Sequence, residues 1–281
     1  LITDFYNKEE IDQKIDSVNK KIDKENENIN QQIAELDRRV NNLEKTTGIR
    51  YEVERKIIDI DGTIVITPTW TRLYDAIGLV ANATHDGSEV ENTYDEMPIY
   101  RDIISAEIDN NGNILHYYDE DDYNPESGNN IMTILPDMYI ARYHVKKVDG
   151  IYERRGIASQ KFSRDYRFFS ERKLARYEGY LDNENKLCSI SGKIPVHRKN
   201  IVQFRTYARN NGEVYEIQDI WTRYIIESLY IVEYANNNSQ LMLGNGIMTW
   251  LGDNNKALIA ENGVNRIIVA TNATLKSRLY E

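Results

Sequence analysis

Cysteine occurs once in the 281 residues, at Cys188, so no internal disulfide can form and no thiolate cluster is at hand for a structural zinc. Proline occurs five times, and no run of about 18 apolar residues or secretory leader pattern is present, which argues against a helical membrane span or a cleaved signal. Histidine is also scarce: His85, His116, His144 and His197 show no paired ligand spacing. The acidic run Asp119, Glu120, Asp121 and Asp122 lacks the spacing of a twelve-residue calcium loop and reads as a solvated turn. There is no serine nucleophile elbow, phosphate loop or dinucleotide fingerprint, so neither a catalytic site, a metal nor a cofactor is expected. Positive charge is outnumbered, 35 Lys and Arg against 45 Asp and Glu. The net charge of -10 argues against a general nucleic-acid or anionic-membrane binder, although a local basic patch is still possible. The chain must therefore hold together by packing, helped by oligomerisation. It opens on Leu1 and not on methionine, and is expected to be the tail of something longer.

What is present falls into two parts. Residues 8–46 contain no proline, glycine or aromatic side chain. Their apolar positions are Ile11, Ile15, Val18, Ile22, Ile29, Ile33, Leu36, Val40 and Leu43, and steps of four and three define a heptad seam. Asn26 and Ile29 carry the seam between Ile22 and Ile33, a stutter that locally unwinds a left-handed supercoil. The expectation is a coiled-coil rod of roughly 55 to 60 Å. Isoleucine at both a and d positions disfavours dimers, so three parallel strands are expected. Arg39, Val40, Leu43 and Glu44 fit the short Arg-apolar-x-x-apolar-Glu pattern of parallel trimeric coils, in which the arginine reaches a neighbouring helix's glutamate. Asn26 is either a polar layer that fixes register or a solvated defect at the stutter. Residues 1–48 are thus read as a trimerisation stem.

After Gly48 the composition shifts to strand formers. Residues 51–60 and 63–67 read as a hairpin turning through Asp61 and Gly62 and ended by Pro68, so 49–69 is taken as a connecting hairpin. Residues 70–281 are tyrosine-rich and broken by repeated turn signals, which suggests an α+β body with few helices. Strands are expected at 131–135 and 138–145, divided by Pro136. The best helix of the body runs from Asp219 to Tyr234. Asp219 is its N-cap, Arg223 and Glu227 an i,i+4 pair, and Trp221, Ile225, Leu229 and Val232 its core face. Arg223, Glu227 and Glu233 would be costly in a bilayer, and about sixteen residues are too few to cross one.

The block 187–246 contains SISG, then QFRTYARN, then this tryptophan-bearing helix, then NNNSQ and LGNG. Upstream stand WTRLYDAIGL (70–79), MPIYRDI (97–103), the strand pair IMTILPDMYIARY (131–143) and ARYEGYL (175–181). In this order the pieces resemble the C-type-lectin-like domain of bacteriophage tail fibre and receptor-binding proteins, the class that includes tropism proteins diversified by retroelements. The resemblance implies a C-type-lectin-like α+β domain behind the coil, in a homotrimer of a phage or phage-tail-like particle. Its partners would be other tail or baseplate proteins and a bacterial surface glycan or wall polymer, with no nucleic acid and no membrane insertion. Such a protein is made in the bacterial host cytoplasm and ends in the virion. The family continues past its GNG-like turn with a hairpin and a Gly- and Trp-rich closing segment that carries the ligand face. This chain ends at Glu281 within strands expected at 257–260 and 266–271, so the domain is expected to be incomplete or closed differently, and that face is not carried over.

One other stretch suggests chemistry. Residues 154–176, RRGIASQKFSRDYRFFSERKLAR, interleave basic residues with Phe162, Tyr166, Phe168 and Phe169. Arg164, Tyr166, Arg167 and Arg172 are the candidate ligand residues for an anionic polymer such as teichoic acid, or else the aromatics face the core and the charges face water. Two other functions stay open: a structural component docking other virion proteins, and a surface-polysaccharide depolymerase. The related formylglycine-generating fold depends on a cysteine pair that a lone Cys188 does not supply.

Overall fold

A 40-residue helix, α1 (Lys8–Thr47), leads the computed structural model, which describes residues 8–60, 63–67, 69–82, 92–191, 193, 195–196, 198–243, 249–251 and 256–258. Freedom from proline and glycine lets one helix run uninterrupted. Its side chains are described at 12–30, 32 and 33, and all of these are exposed. Ile15, Val18, Ile22, Ile29 and Ile33 are each between 48 and 53% exposed, so the chain by itself holds an apolar stripe in water. Asn26 is exposed as well. Ile11, Leu36, Arg39, Val40, Leu43 and Glu44 lie outside the described side chains.

The chain divides into two units between Gly48 and Ile49. The second is mixed α+β. Its strands are β1 (Arg50–Ile60), β2 (Thr63–Ile66), β3 (Thr71–Tyr74), β4 (Ile104–Ile108), β5 (Ile114–Tyr117), β6 (Asn130–Leu135), β7 (Met138–Lys147), β8 (Gly150–Ala158), β9 (Tyr166–Phe169), β10 (Arg172–Ala175), β11 (Tyr180–Leu181), β12 (Leu187–Cys188), β13 (Thr249–Leu251) and β14 (Lys256–Leu258). A 3-10 turn (Thr93–Glu96) and the helices α2 (Ile201–Arg209), α3 (Ile220–Tyr234) and α4 (Ser239–Leu243) complete it. Every ladder among the described residues is antiparallel.

The larger sheet has six strands in the order β2-β1-β8-β7-β9, with β3 also paired to β1, and the smaller has the order β10-β6-β4-β5. This revises two expectations. The hairpin at 49–69 is not a connector: β1 pairs with β8 from Arg50 to Ile57 and lies inside the larger sheet. Residues 131–143 do form two strands, but β6 and β7 belong to different sheets and do not pair with each other. The pairing of β1 with β8 stops at Ile57↔Ile151, and β2 runs alongside the remainder with Ile64, Val65 and Ile66 exposed. Toward the C-terminus β14 pairs with β13, while residues 266–271 lie outside the described residues.

Alternation along β1 and β8 gives the larger sheet two unlike faces. On one, Tyr51, Val53, Ile140 and Ile157 pack against Ile225, Leu229 and Val232 of α3 to form the main core. Three tyrosines help to fill it. The rings of Tyr51, Tyr94 and Tyr100 meet edge-on or tilted at 4.8 to 5.9 Å. The hydroxyls of Tyr94 and Tyr100 donate to the carbonyls of Val232 and Leu229 at 3.1 Å, which satisfies the buried polar ends of the rings. Asp219 caps α3 by accepting from the Thr222 amide at 2.7 Å. Trp221 is the exception on the expected core face. It is 42% exposed, and its indole lies beside Phe169 of the edge strand β9, with the ring centroids 6.1 Å apart. Glu227 pairs not with Arg223 but with Arg155 of the sheet, at 3.2 Å. No helix among the described residues is long and apolar enough to cross a membrane.

Candidate functional site

The other face of the larger sheet carries polar and aromatic side chains. The sequence RYEVERK at 50–56 alternates, so Tyr51 and Val53 enter the core while Arg50, Glu52, Glu54 and Lys56 point the opposite way. One cross-strand row runs Glu52, Gly156, Ala141, Tyr166, through β1, β8, β7 and β9. The two small residues in the middle let Tyr166 lie across the sheet and donate its hydroxyl to Glu52. The neighbouring rows bring Arg50, Ala158, Tyr139 and Phe168 together on one side, and Glu54, Arg154 and Tyr143 on the other. The apolar cluster on this face, Ala141, Ala158, Tyr166, Tyr139 and Tyr143, comes entirely from the sheet.

Glu52 is completely buried beneath these neighbours. Its carboxylate accepts from Arg50 Nε at 2.9 Å and Nη2 at 2.8 Å, and from the Tyr143 hydroxyl at 2.9 and 3.0 Å, besides Tyr166. Glu54 accepts from Arg154 Nε at 3.0 Å and pairs with Lys147. Burial, then the charge of Glu52 and the bond to it, push the Tyr166 hydroxyl well above its ordinary value. Burial and the same carboxylate raise Tyr143 too. Burial works against the Arg50 cation, but the hydrogen bonds to Glu52 and Tyr166 outweigh it and hold the guanidinium protonated. Near neutral pH both hydroxyls are therefore neutral donors beside a charged arginine. The carboxylates sit below and the cations at the rim.

Aromatic rings frame this cluster. The Arg50 guanidinium lies 3.8 Å from the centroid of Tyr74 and 5.6 Å from that of Phe162, a cation–π arrangement on both. Tyr139 and Phe168 meet at 5.3 Å, and Phe162 and Tyr166 at 6.1 Å. Tyr74, Phe162 and Phe168 remain exposed. At the far end Lys147 sits 4.2 Å from the Tyr152 centroid, and Asp149 accepts from Lys56 at 3.1 Å and from the Tyr152 hydroxyl at 2.7 Å. Together these residues make a shallow aromatic surface with charges at fixed heights.

The four ligand residues expected in the basic stretch are not brought together. Tyr166 is buried with its hydroxyl spent on Glu52 and has no face free for a ligand. Arg167, its neighbour on β9, points to the opposite face and covers the Trp221 ring at 4.4 Å. Arg172 lies in the other sheet and donates to Asp219 at 2.9 and 3.0 Å and to Thr222 at 2.8 Å. Arg164 is exposed in the loop before β9. The physical reason is the two-residue period of a strand: a basic and aromatic run in β structure is split between two faces. The residues that do converge, Arg50, Glu52, Tyr74, Tyr143 and Arg154, come from four strands. The signal in the sequence was the alternation in RYEVE at 50–54.

Elsewhere, His116 lies 3.5 Å from Glu120, within the acidic run read as a turn. Among the described residues no group of three or more His, Cys, Asp or Glu side chains is placed to hold a metal ion. Burial raises the Cys188 thiol to about 11, so at neutral pH it is not a thiolate. Comparison with family models, curated proteins and solved structures gives no match.

Proposed function

We propose that the protein is the trimeric attachment component of a phage or phage-tail-like particle, in which α1 is the stem and the body recognises a bacterial surface glycan or wall polymer. The observation that carries the reading is the apolar stripe of α1. Five β-branched side chains at heptad spacing stand about half exposed on one helix, and burying each would contribute on the order of 1 kcal/mol per helix. Identical helices are the simplest cover, and isoleucine at both core positions favours three or four of them over two, of which three is the reading adopted. Three weak sites on one rod bind in concert, because the second and third contacts become intramolecular. The C-type-lectin-like resemblance of 70–246 supports an attachment role, and the aromatic open face of the larger sheet supports a saccharide ligand.

Light scattering on the intact chain should return three times the protomer mass, and replacing Ile15 and Ile29 by Asp should return one protomer with the body still folded. A monomer or dimer for the unaltered chain would refute the stem. The purified trimer should also slow adsorption of the particle to its host cells. A trimer that never does so would make the chain a structural tail or baseplate part instead.

A further inference from the structure

We propose that the open face of the larger sheet binds an acidic polysaccharide, with sugar rings lying on Phe162, Phe168 and Tyr74 and anionic groups meeting Arg50, Lys56 and Lys147. The proposal rests on the attachment reading above and gives its ligand a chemistry and a place.

Depth separates the charges on this face. The Glu52 side chain is 0% exposed and that of Glu54 9%, whereas Lys147 is 35% and Lys56 37% exposed. Glu52 and Glu54 are therefore covered, while the cations, Arg50 at 20% and Arg154 at 15% among them, keep part of their surface in solvent. Two carboxylates also stand at the rim: Asp149, 58% exposed, is tied to Lys56 and Tyr152, and Asp75, also exposed, accepts from the Arg50 amide. The result is a cationic surface on a chain whose net charge is -10. That combination favours an anionic group locally.

The exposed rings select the other half of the ligand. Tyr74 stacks with Arg50, and Phe168 stands in the same cross-strand row as Arg50, three strands away. At about 4.8 Å per strand the row is about 14 Å across, room for more than one sugar ring. A pyranose offers a C–H face to an aromatic ring and hydroxyls at its edge. Because Arg50 is fixed by Glu52 and Tyr166, its guanidinium is ordered before any ligand arrives.

Calorimetry or affinity electrophoresis with the intact chain tests this against four probes: polygalacturonate, a phosphodiester-bearing phosphomannan, dextran and a single-stranded oligonucleotide. The expected result is salt-sensitive binding to one or both acidic polymers and none to dextran. The two acidic probes distinguish a carboxylate from a phosphodiester source of the negative charge. Phe168→Ala and Lys56→Glu should each weaken binding about tenfold or more while size and melting stay unchanged. Equal binding to dextran, preference for the oligonucleotide, no binding to either acidic polymer, or full binding by Phe168→Ala would overturn the proposal. Adsorption competition separates this site from the reading beneath it. If Phe168→Ala and Lys56→Glu block adsorption as well as the unaltered trimer does, the site is wrong and attachment stands. If the trimer binds acidic polymer through this face yet never blocks adsorption, the site stands and attachment falls.

Discussion

Gly156 is where the buried cluster of the open face is most easily broken. Its backbone is not in the left-handed region, so the effect of Gly156→Ala is steric. A Cβ at this position would lie 2.5 Å from the Tyr166 hydroxyl oxygen and 2.8 Å from Glu52 Cγ. Both neighbours are buried, Tyr166 at 2% and Glu52 at 0% exposure, and neither can swing into solvent. Overpacking of this kind costs about 1–3 kcal/mol. Displacing the Tyr166 hydroxyl from a charged acceptor adds about 1.5–3 kcal/mol. The smaller unfolded-state entropy of alanine offsets about 0.4–1 kcal/mol. The net loss is about 1.5–5.5 kcal/mol, which at roughly 2–4 °C per kcal/mol lowers Tm by roughly 3–22 °C for a body of this size. Differential scanning calorimetry reads the shift. Tyr166→Phe removes the oxygen that the new methyl meets, so the double variant should lose about 1–2 kcal/mol less than the sum of the two singles. A Gly156→Ala protein that melts within a degree of the parent, or two strictly additive changes, would refute the tight row Glu52, Gly156, Ala141, Tyr166.

Two other predictions concern ion pairs on the core side. For Asp219, burial alone would raise the carboxyl, but the Thr222 side chain, its amide and Arg172 outweigh it and lower the pKa from 3.8 to about 2. A depressed folded value means that the contribution is present above the unfolded value and is lost as pH falls through the folded one. Asp219→Ala should therefore cost about 1 kcal/mol in urea unfolding at pH 7, with the gap to the parent closing between about pH 4 and 2; a gap that persists at pH 2 would contradict the cap. Glu153 is buried among three arginines, accepting from Arg55 at 2.6 and 3.0 Å, Arg142 at 2.9 Å and Arg155 at 3.2 Å. Burial would raise its carboxyl, yet the Arg55 hydrogen bond and the three charges hold it below the ordinary value. Glu153→Gln leaves Arg55 buried without a counter-ion, while Arg155 keeps Glu227 and Arg142 is half exposed, and should cost about 3–5 kcal/mol by chemical denaturation; a loss under about 1 kcal/mol would mean that water already screens the Arg55 charge.

Local signals made some of this readable in the sequence. The uninterrupted α1, the strands β1 and β2, the break at Pro136 and the cap at Asp219 all depend on residues within a few positions of one another. Helix α2 shows the limit of periodicity. Asn200 and Gln203 form a capping box that marks its start, but Ile201 and Val202 are exposed and Ala208 is its one buried residue, so no apolar stripe announces it. Strand partners were less readable still. The β7–β8 hairpin is local, but that β9 would join β7 while β6 joined β4 and β10 depends on contacts far apart in sequence, which no short window of residues contains. The basic stretch failed as a single site for a related reason: adjacency along a strand places neighbours on opposite faces. The site that does form is assembled from β1, β3, β7 and β8, each of which supplies one or two residues that look ordinary alone.

The position of β1 also has a mechanical meaning. It begins at Arg50, three residues after α1 ends at Thr47, so any tension carried by the stem enters the body through this strand. On one edge β1 is paired with β8 at eight positions, and on the other with β3 at four and β2 at four. Antiparallel hydrogen bonds run perpendicular to the strand, so a pull along it loads both ladders in shear, many bonds at once, instead of peeling them one by one. A strand held along both edges resists such a pull better than an edge strand would.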